Sequence, residues 1–483
     1  MFKEITNTAA TNILPPLSPI VSPWMEELID HPVVVNELLE KYGSPINIHH
    51  LTPFHDNYHT YKNIFESFDL RHKVMFARKA NKCKEFVKAA KESGFGVDTA
   101  SYKELEECLE IGVPVENIVV TAAVKNDDLL RLAIANDVLV ILDNEDECNL
   151  TKAIAKELNK KAKIGIRISG FHFQGDKLYS RFGFDIDTVF DFIKSKFGKF
   201  NTYSTLEYCG LHFHLNGYST EQRGTALLAS LGLAEKLSAY NFQTQFIDMG
   251  GGLLMNYLEN KSEWEDFENT LKAAVKGQHD PITFKNNGLG YEMIDGELKG
   301  KMKVYPYYND NAKANFLRNV LTHKNEQGQT AAEIAKAQNI ELRIEPGRSM
   351  LDQTGITVAK VAFRKQDSDG EWLVGLEMNM TQMHSSSADF LLDPKVIFNH
   401  PDAEANPVGV YFTGAYCLER DILLQRKIQL PQLPAIGDII LFLNTAGYMM
   451  HFFESEAHLF DLAKNVILKE NYSALSSENF KLD

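Results

Sequence analysis

The chain has 483 residues, and its 44% hydrophobic and 24% charged residues are the composition of a folded globular protein. This chain is longer than a single hydrophobic core usually supports, so we expect two domains. The net charge of −15 at pH 7 argues against nucleic acid or an anionic membrane as a partner, because both repel an acidic surface.

The five cysteines show no CxxC pair and no regular spacing. Such a set is typical of reduced thiols and excludes a disulfide framework or a zinc site, so we predict no metal. The N-terminus MFKEITNTAATNILPPLSPIVSP has an early acid and several prolines where a signal peptide needs an unbroken apolar core. No apolar run approaches membrane-spanning length. We therefore expect a cytoplasmic protein.

From about residue 70 to 350, apolar runs alternate with amphipathic stretches, beginning with KVMFARK and KCKEFVKAAKES. Ser101, followed by Glu104, forms a capping box that marks the start of the second helix. Further apolar runs continue the pattern: FGVDTA, NIVVTAA, VLVILDN, AKIGIRIS, CGLHFHLN, TQFIDMGG and ELRIEPG. About eight strands close a (β/α)8 barrel, and the alternative is an open doubly wound sheet, which needs fewer strands.

After about residue 355, short alternating strands such as GITVAKVAFRKQ and GDIILFLN predict an all-β segment. We expect the barrel over 46–350 and a C-terminal β-barrel-like domain over 351–483. The Pro-rich residues 1–45 are expected to pack with the β-domain. The stretch at about 255–340 is longer than one connection requires, and it predicts an insertion over the barrel mouth.

The active site of a (β/α)8 barrel lies where its strands end. Chemically capable residues occur at that end in strand after strand, a series that surface charge placement rarely produces. They are Lys79, Asp98, Arg167, His214, Gly250, Gly251, Gly252 and the run Glu345-Pro346-Gly347-Arg348.

Lys79 lies at the end of the apolar run in VMFARKANK. Strand alternation places it on one face with Met75 and Ala77, directed into the barrel mouth, while Arg78 points toward the helix layer. Desolvation lowers the pKa of a lysine and makes its amine nucleophilic. The alternative is a lysine that simply caps the strand end.

Two glycine-containing turns follow predicted strands. The amides of FIDMGGGL can approach a phosphate because no Cβ intervenes, although tight-turn packing is the alternative. EPGRS adds a second small residue and Arg348, which suits bidentate phosphate binding. Glu345 needs a partner if it is buried, either a pyridinium nitrogen or a neighbouring arginine.

In their order, the motifs FARKAN, GVDTAS, SRFGF, GLHFHLNG, DMGGG, EPGRS, GAYCLERD and AGY resemble those of the fold-type III pyridoxal 5'-phosphate (PLP) decarboxylases. This group includes the diaminopimelate, ornithine and arginine decarboxylases, built as an alanine racemase-like barrel with a β-domain. The resemblance covers most of the chain outside the N-terminus and the expected insertion. It implies a PLP-dependent amino-acid carboxy-lyase, on a divergent branch whose substrate it does not fix.

The same resemblance implies roles for the barrel residues. Lys79 matches the lysine of the internal aldimine, and His214 matches the histidine that stacks on the cofactor ring. Glu345 matches the acid that keeps the ring nitrogen protonated, so that carbanion charge drains into the ring as a quinonoid. The other matches are the phosphate cradle and two supports beside the lysine and the ring: Gly250, Gly251, Gly252, Gly347, Arg348, Asp98 and Arg167.

In the β-domain, Cys417 matches the cysteine that reaches the partner subunit's site and protonates the product carbanion. Tyr448 matches the tyrosine near the phosphate. The resemblance therefore implies a homodimer with shared active sites. Three acids are candidate substrate contacts: Asp393, Glu419 and Asp421.

The chain departs from the family pattern at three places. The usual HxGS reads HLNG over 214–217, so a phosphate-binding serine is missing. The acid that normally follows the cysteine is Leu418. The RP pair that binds the distal carboxylate of diaminopimelate reads Asp393-Pro394. This reversed charge predicts an amino acid with a neutral or basic far end, although a turn acid before proline is the alternative.

Three other functions stay open. An amino-acid racemase or epimerase on this scaffold would place an arginine against the ring nitrogen, where this chain has Glu345. A non-catalytic regulator has no need to retain all four of Lys79, His214, Glu345 and Arg348. A single-barrel PLP carrier protein would lack the long β-segment.

Overall fold

The computed structural model describes residues 14–385, 388–470 and 473–483, and the chain forms two compact units. Among the described residues, the β unit comprises 14–50, Asn256–Asp310 and Gly355–Leu482. The barrel unit comprises Leu51–Met255 and Asn311–Thr354, with the terminal Asp483. In the described parts of the chain, no helix has both the length and the apolar composition needed to cross a bilayer.

Eight parallel strands form the barrel, numbered here in chain order. They are β1 His72–Ala77, β2 Gly96–Thr99, β3 Ile118–Val120, β4 Leu139–Leu142, β5 Ala162–Ser169, β6 Leu206–His212, β7 Phe246–Asp248 and β8 Glu341–Ile344. Each strand pairs with the next, and β8 pairs with β1 to close the ring. The predicted (β/α)8 barrel is confirmed, and the open doubly wound sheet is wrong.

These strands are short and aliphatic because a parallel sheet is covered on both faces. All of β3 is buried, and so are three of the four residues of β4. The helices of the barrel unit are Thr52–Ser67, Lys84–Ser93, Tyr102–Ile111, Asp127–Ala135, Glu145–Glu157, Val189–Ile193, Thr220–Ser238, Lys313–Leu321 and Ala331–Ala337. Short strands follow β5 at His172–Phe173, Asp176–Lys177 and Phe184–Asp185.

The helix Tyr102–Ile111, which follows β2, begins where the capping box predicts. Ser101 Oγ accepts the N–H of Glu104 at 3.2 Å, and the helix runs over Tyr102–Ile111. The Glu104 carboxylate accepts the N–H of Ala100 at 2.6 Å rather than that of Ser101, so the return bond reaches one residue further back.

The β unit is built on a nine-stranded sheet. Its strands are Ile46–His50, Gly355–Gln366, Trp372–Leu376, Lys395–Ile397, Val408–Thr413, Ile428–Leu430, Ile439–Phe442, Lys464–Leu468 and Phe480–Leu482. Two hairpins accompany it, Tyr291–Ile294 with Glu297–Gly300 and His384–Ser385 with Ala388–Asp389. Its helices are Pro23–Ile29, Pro32–Tyr42 and Lys261–Val275. Trp24 and Leu38 of the first two helices share one apolar core with Ile356 and Leu441 of the sheet.

The units divide the chain at other places than the sequence pattern suggested. Ile46–His50 pairs with Gly355–Gln366 and therefore belongs to the β unit rather than to the barrel. The expected insertion is split, since Asn256–Asp310 belongs to the β unit and Asn311–Thr354 returns to the barrel. Hydrogen bonds such as that from Phe284 N–H to the carbonyl of Gln425, at 2.7 Å, tie the first part to the β unit.

Candidate active site

Lys79 and Asp98 form an ion pair at the end of two neighbouring barrel strands. β1 ends at Ala77, which lies beside Asp98 of β2, and Lys79 follows in a 3-10 turn. Its Nζ donates to Oδ2 of Asp98 at 2.6 Å. Thr121 donates to the other oxygen of this fully buried carboxylate. The Lys79 side chain is 35% exposed, so its amine is oriented by the protein and still accessible to a ligand.

Arg78 takes the opposite direction, as strand alternation predicts. Its guanidinium is buried, donating to Glu107 of the helix Tyr102–Ile111 at 2.7 Å and to the carbonyl of Asn81 at 2.6 Å. Of the two adjacent cations, the structure therefore directs Arg78 to the helix layer and Lys79 to Asp98.

Arg167, His212 and Asp248 lie in register on β5, β6 and β7. The Arg167 guanidinium donates through Nε to Nδ1 of His212 at 3.2 Å and through a terminal nitrogen to the Thr121 carbonyl at 2.8 Å. Its other terminal nitrogen is 3.0 Å from Asp143. Every nitrogen of Arg167 thus contacts protein, which makes it a support for His212.

Glu345 follows β8 and lies deep in the barrel, 3% exposed. Burial, with the nearby negative charge of Asp98, raises its pKa above the usual carboxyl range. The pKa of Asp248 is also raised, by burial and by Glu345. His212 Nε2 lies 3.3 Å from Glu345 Oε1, without the alignment of a hydrogen bond. Glu345 therefore lies against His212, but this contact is not a hydrogen bond and leaves Oε1 open to another donor.

His214 and the three glycines meet through close backbone contacts. Gly251 N–H donates to Nδ1 of the exposed His214 ring at 3.2 Å. A Cβ at Gly250 would lie 2.6 Å from that nitrogen, and a Cβ at Gly251 would lie 2.6 Å from the carbonyl oxygen of Glu345. Gly250 and Gly252 also have φ of +66° and +80°, which glycine adopts without strain. The glycines let the loop approach both His214 and Glu345.

The turn after Glu345 lies beside β1. Ala77 N–H donates to the carbonyl of Pro346 at 3.3 Å. Gly347 precedes a 3-10 turn over Arg348–Met350, and the Arg348 side chain is buried. The chain therefore places Gly347 and Arg348 next to the strand that leads to Lys79.

The other sequence-predicted residues lie in the β unit. Cys417 and Glu419 are exposed on one loop. Asp421 ends that loop, and its buried carboxylate accepts the N–H groups of Met380 and Tyr416, both at 2.7 Å. These bonds occupy both oxygens of Asp421 and hold the loop that carries Cys417.

Tyr448 and Asp393 are also in the β unit. Tyr448 is half-buried with φ of +73°, a conformation that is costly for an aromatic residue. Asp393 pairs with Arg426 at 2.5 Å and accepts the N–H of Leu17 at 3.0 Å. Asp393 is thus engaged within its own unit.

Three buried residues of the barrel were not singled out from the sequence. His212 stands two residues before His214 in GLHFHLNG, and Asp248 stands two residues before the first glycine of FIDMGGG, so their motifs offered a signal. Arg223, in the helix Thr220–Ser238, is 2% exposed, and no motif indicates it.

The donor set of the barrel fits PLP. His212 Nε2, Glu345 Oε1 and Asp248 Oδ2 are buried without a hydrogen bond within the described chain, and such groups cost about 1–3 kcal/mol each. A pyridinium N–H is a donor that Glu345 lacks. Lys79 supplies a primary amine, and the glycine loop supplies a turn without side chains. The same three side chains could also hold a metal ion, since their ligand atoms lie within 4.8 Å of one another, but the adjacent Arg167 cation opposes one.

Residues 53–286 match the family of the pyridoxal-dependent decarboxylases, through its pyridoxal binding domain. The uncharacterized protein y4yA of Sinorhizobium fredii is 27% identical over 425 residues, 86% of each chain. Diaminopimelate decarboxylase of Bacillus methanolicus is 23% identical over 428 residues, also 86% of each chain.

Solved structures show the same fold. Diaminopimelate decarboxylase from Helicobacter pylori, complexed with L-lysine, has a TM-score of 0.67 at 18% identity and covers 93% of this chain and 95% of its own. Lysine/ornithine decarboxylase from Vibrio vulnificus, complexed with cadaverine, has a TM-score of 0.64 at 16% identity and covers 93% and 100%. The chain is thus similar to the fold-type III PLP-dependent decarboxylases in the family match over 53–286, and it shares the fold of these solved structures.

Proposed function

We propose that the protein decarboxylates an amino acid with bound PLP. The observation that carries the proposal is the position of Glu345, a buried carboxyl group after β8 whose Oε1 accepts no hydrogen bond from the described residues. Lys79 follows the neighbouring strand β1. When bound, PLP supplies an aldehyde that joins an amino group and a ring that accepts the electron pair left as CO2 departs.

Glu345 favours loss of CO2 over racemisation. A cationic donor at its Oε1 lowers the pKa of Glu345 again, because opposite charges favour each other's ionised forms. The carboxylate in turn keeps that donor protonated, which strengthens it as an acceptor of electrons. An arginine in place of Glu345 would repel a protonated ring nitrogen, because both groups would be positively charged.

Asp98 holds the amine of Lys79, the proposed reactive group. The bond of 2.6 Å fixes Nζ toward the strand ends, and the bond from Thr121 to Asp98 keeps the carboxylate from turning away. The pair therefore restricts the amine to one geometry without burying it, which suits a residue that has to exchange partners during turnover.

Cys417 is the proposed proton donor. Decarboxylation breaks the bond between Cα and the carboxylate, releases CO2 and takes up one proton at Cα. Among the five cysteines, all in described residues, only Cys417 is exposed. We propose that the Cys417 thiol donates this proton to Cα. We also propose a homodimer in which Cys417 acts in the partner subunit's site and Tyr448 lies near the phosphate.

The ion pair of Asp393 with Arg426 argues against selection of the substrate side chain by the charge of Asp393. The expectation against diaminopimelate assumed an uncompensated negative charge at this residue, but Arg426 neutralises it at 2.5 Å. We keep Glu419, which is exposed beside Cys417, as the proposed substrate contact. Basic, neutral and carboxylated amino acids all belong in the test.

The test combines cofactor uptake with CO2 release. Purified protein is titrated with PLP, monitored by visible absorbance, and assayed for CO2 with the L- and D-forms of lysine, ornithine, arginine and leucine and with the LL, DD and meso forms of diaminopimelate. We expect CO2 from at least one of them, lost in Lys79→Ala and retained in Lys82→Ala, whose exposed lysine lies three residues away. Inversion at Cα without CO2 would indicate a racemase instead, and a wild-type protein that takes up no PLP would indicate a non-catalytic regulator.

A further inference from the structure

We propose that Asp143 is a positioning residue that holds the Arg167 guanidinium against His212. Held there, the cation stays away from Glu345, the buried carboxyl group on which the proposed function depends. The consequence for turnover rests on that function, whereas the contacts that support the positioning role lie within the chain itself.

Asp143 and Arg167 are neighbours in one layer of the barrel. Asp143 directly follows β4, whose last residue, Leu142, pairs with Ile166 of β5. The next residue of β5 is Arg167, which pairs in turn with His212 of β6. The Arg167 side chain thus lies between a carboxylate on one side and an imidazole on the other.

Three contacts hold the Arg167 guanidinium. Its Nη2 donates to the Thr121 carbonyl at 2.8 Å, and its Nε donates to Nδ1 of His212 at 3.2 Å. Its Nη1 lies 3.0 Å from Oδ1 of Asp143, an ion pair without the alignment of a hydrogen bond. Arg167 and Asp143 are 6% and 8% exposed, so the solvent screens their charges little. Asp143 supplies the only negative charge among the three contacts.

A second buried ion pair fixes the backbone at Asp143. Its N–H donates to Oε2 of Glu147 at 2.8 Å, and the same oxygen accepts from Nζ of Lys125 at 2.9 Å. The Lys125 side chain is fully buried and also donates to the carbonyl of Ala122 at 2.7 Å. These bonds restrict where the Asp143 carboxylate can lie.

Glu345 is the anion that Arg167 would approach if it lost Asp143. Glu345 lies on the far side of His212, whose Nε2 is 3.3 Å from its Oε1. Burial raises the pKa of Glu345, and the charge of Arg167 lowers it, so the two groups already interact. A buried ion without its counter-charge is strongly disfavoured. Without Asp143, the guanidinium would therefore turn toward Glu345, leave Nδ1 of His212 without a donor, and occupy the carboxylate that a ring N–H needs.

The first measurement reads the tautomer of His212 in protein without PLP. Nitrogen NMR of histidine-labelled protein reports which ring nitrogen carries the proton, and His212→Phe identifies the signal by removing it. Wild type should carry the proton on Nε2, because Nδ1 accepts a hydrogen bond from Arg167. Asp143→Asn removes the charge with little change of shape, and should place the proton on Nδ1 in a substantial part of the molecules.

Glu107→Gln is the matched control. Glu107 is the anion of Arg78, a second arginine of the barrel unit, which is 3% exposed, so E107Q also leaves a buried guanidinium without its counter-charge. It should keep the wild-type tautomer of His212. The same change of tautomer in E107Q and D143N would indicate general loosening of the barrel and overturn the inference, as would no change in D143N.

The second measurement is turnover with PLP bound. D143N should lower kcat about 10- to 100-fold, the scale of a catalytic group displaced by about 1 Å. In a background of Arg167→Gln, the same substitution should change kcat less than about twofold, because the cation that Asp143 holds is absent. Fully additive losses in the double variant would overturn the inference. If circular dichroism shows D143N unfolded, the double variant decides. A recovered fold assigns the defect to the unbalanced charge of Arg167, and no recovery assigns Asp143 to the fold alone and overturns the inference.

The positioning role and the proposed function fail separately. A changed His212 tautomer in D143N, in a protein that takes up no PLP, would support the positioning role and remove the decarboxylase. An unchanged tautomer in a protein that releases CO2 would remove only the positioning role.

Discussion

Arg167 fixes the proton of His212, because its Nε–H donates to Nδ1 of that ring at 3.2 Å. An arginine N–H cannot accept a hydrogen bond, so Nδ1 is the acceptor and the imidazole proton lies on Nε2. That nitrogen is 3.3 Å from Oε1 of Glu345. Burial and the charge of Arg167 lower the pKa of His212 to about 3, which keeps the ring neutral. Arg167 is therefore a positioning residue that presents an N–H toward Glu345.

Replacing His212 by phenylalanine should destabilise the protein. His212→Phe keeps an aromatic ring but leaves Arg167 Nε buried without an acceptor, at a cost of about 1–3 kcal/mol in the free energy of unfolding. Urea denaturation followed by circular dichroism measures the change. His172→Phe, an exposed histidine of the same unit, is the control and should change little. Equal stability of H212F and wild type would mean that the bond from Arg167 contributes nothing.

The stability of PLP-free protein should fall as pH rises from about 4.5 through neutral pH. The folded-state pKa values of Glu345 and Asp248 are raised above the ordinary carboxyl range. The folded protein then keeps protons that the unfolded chain has already lost, so rising pH favours unfolding over this interval. Glu345→Gln removes the titrating group and should flatten the dependence. Urea midpoints of wild type and E345Q across this range check it, and parallel curves would contradict the raised pKa.

The barrel could be predicted because its pattern is local. Each apolar run predicts one strand without reference to distant residues. Because the strands of a (β/α)8 barrel are parallel, the residues that follow them lie at the same end of the barrel. Lys79 shows the limit of that reasoning. Alternation extended the strand to Lys79, whereas β1 ends at Ala77 and a 3-10 turn carries the amine to Asp98. The direction was correct, but the local structure was not.

What the sequence could not show depends on contacts between distant residues. His212 and Glu345 meet only because the ring of strands closes. Arg223 occurs in an ordinary helical stretch, and only the fold shows that it is buried without an anion. The assignment of Asn256–Asp310 to the β unit likewise rests on partners more than a hundred residues away, such as Gln425.

Asp393 offers a test of a structural role against a substrate contact. Its carboxylate is the counter-charge of Arg426, which is 2% exposed and also donates to the carbonyls of Leu391 and Pro15. Asp393→Asn should cost about 3 kcal/mol, because it leaves a buried cation without its anion. Urea denaturation measures the loss, with Asp369→Asn at an exposed loop residue as the control. Unchanged stability with an altered substrate profile would instead favour the substrate contact.

Cys417 should control turnover without affecting the cofactor. Removing a general acid typically slows a reaction about 10²- to 10⁴-fold, so Cys417→Ala should lower kcat by that order and leave PLP affinity unchanged. Cys209→Ala is the matched control. Burial raises the pKa of that thiol to about 11, which leaves it unreactive at neutral pH, so its replacement should not slow turnover. Equal kcat for C417A and wild type would exclude Cys417 as the donor.

Mixing two inactive variants tests whether the site is shared between subunits. If C417A regains activity when it is mixed with Lys79→Ala protein, and each variant is inactive alone, the thiol acts from the partner subunit. If the two variants exchange subunits but regain no activity, Cys417 and Lys79 of one active site belong to the same chain.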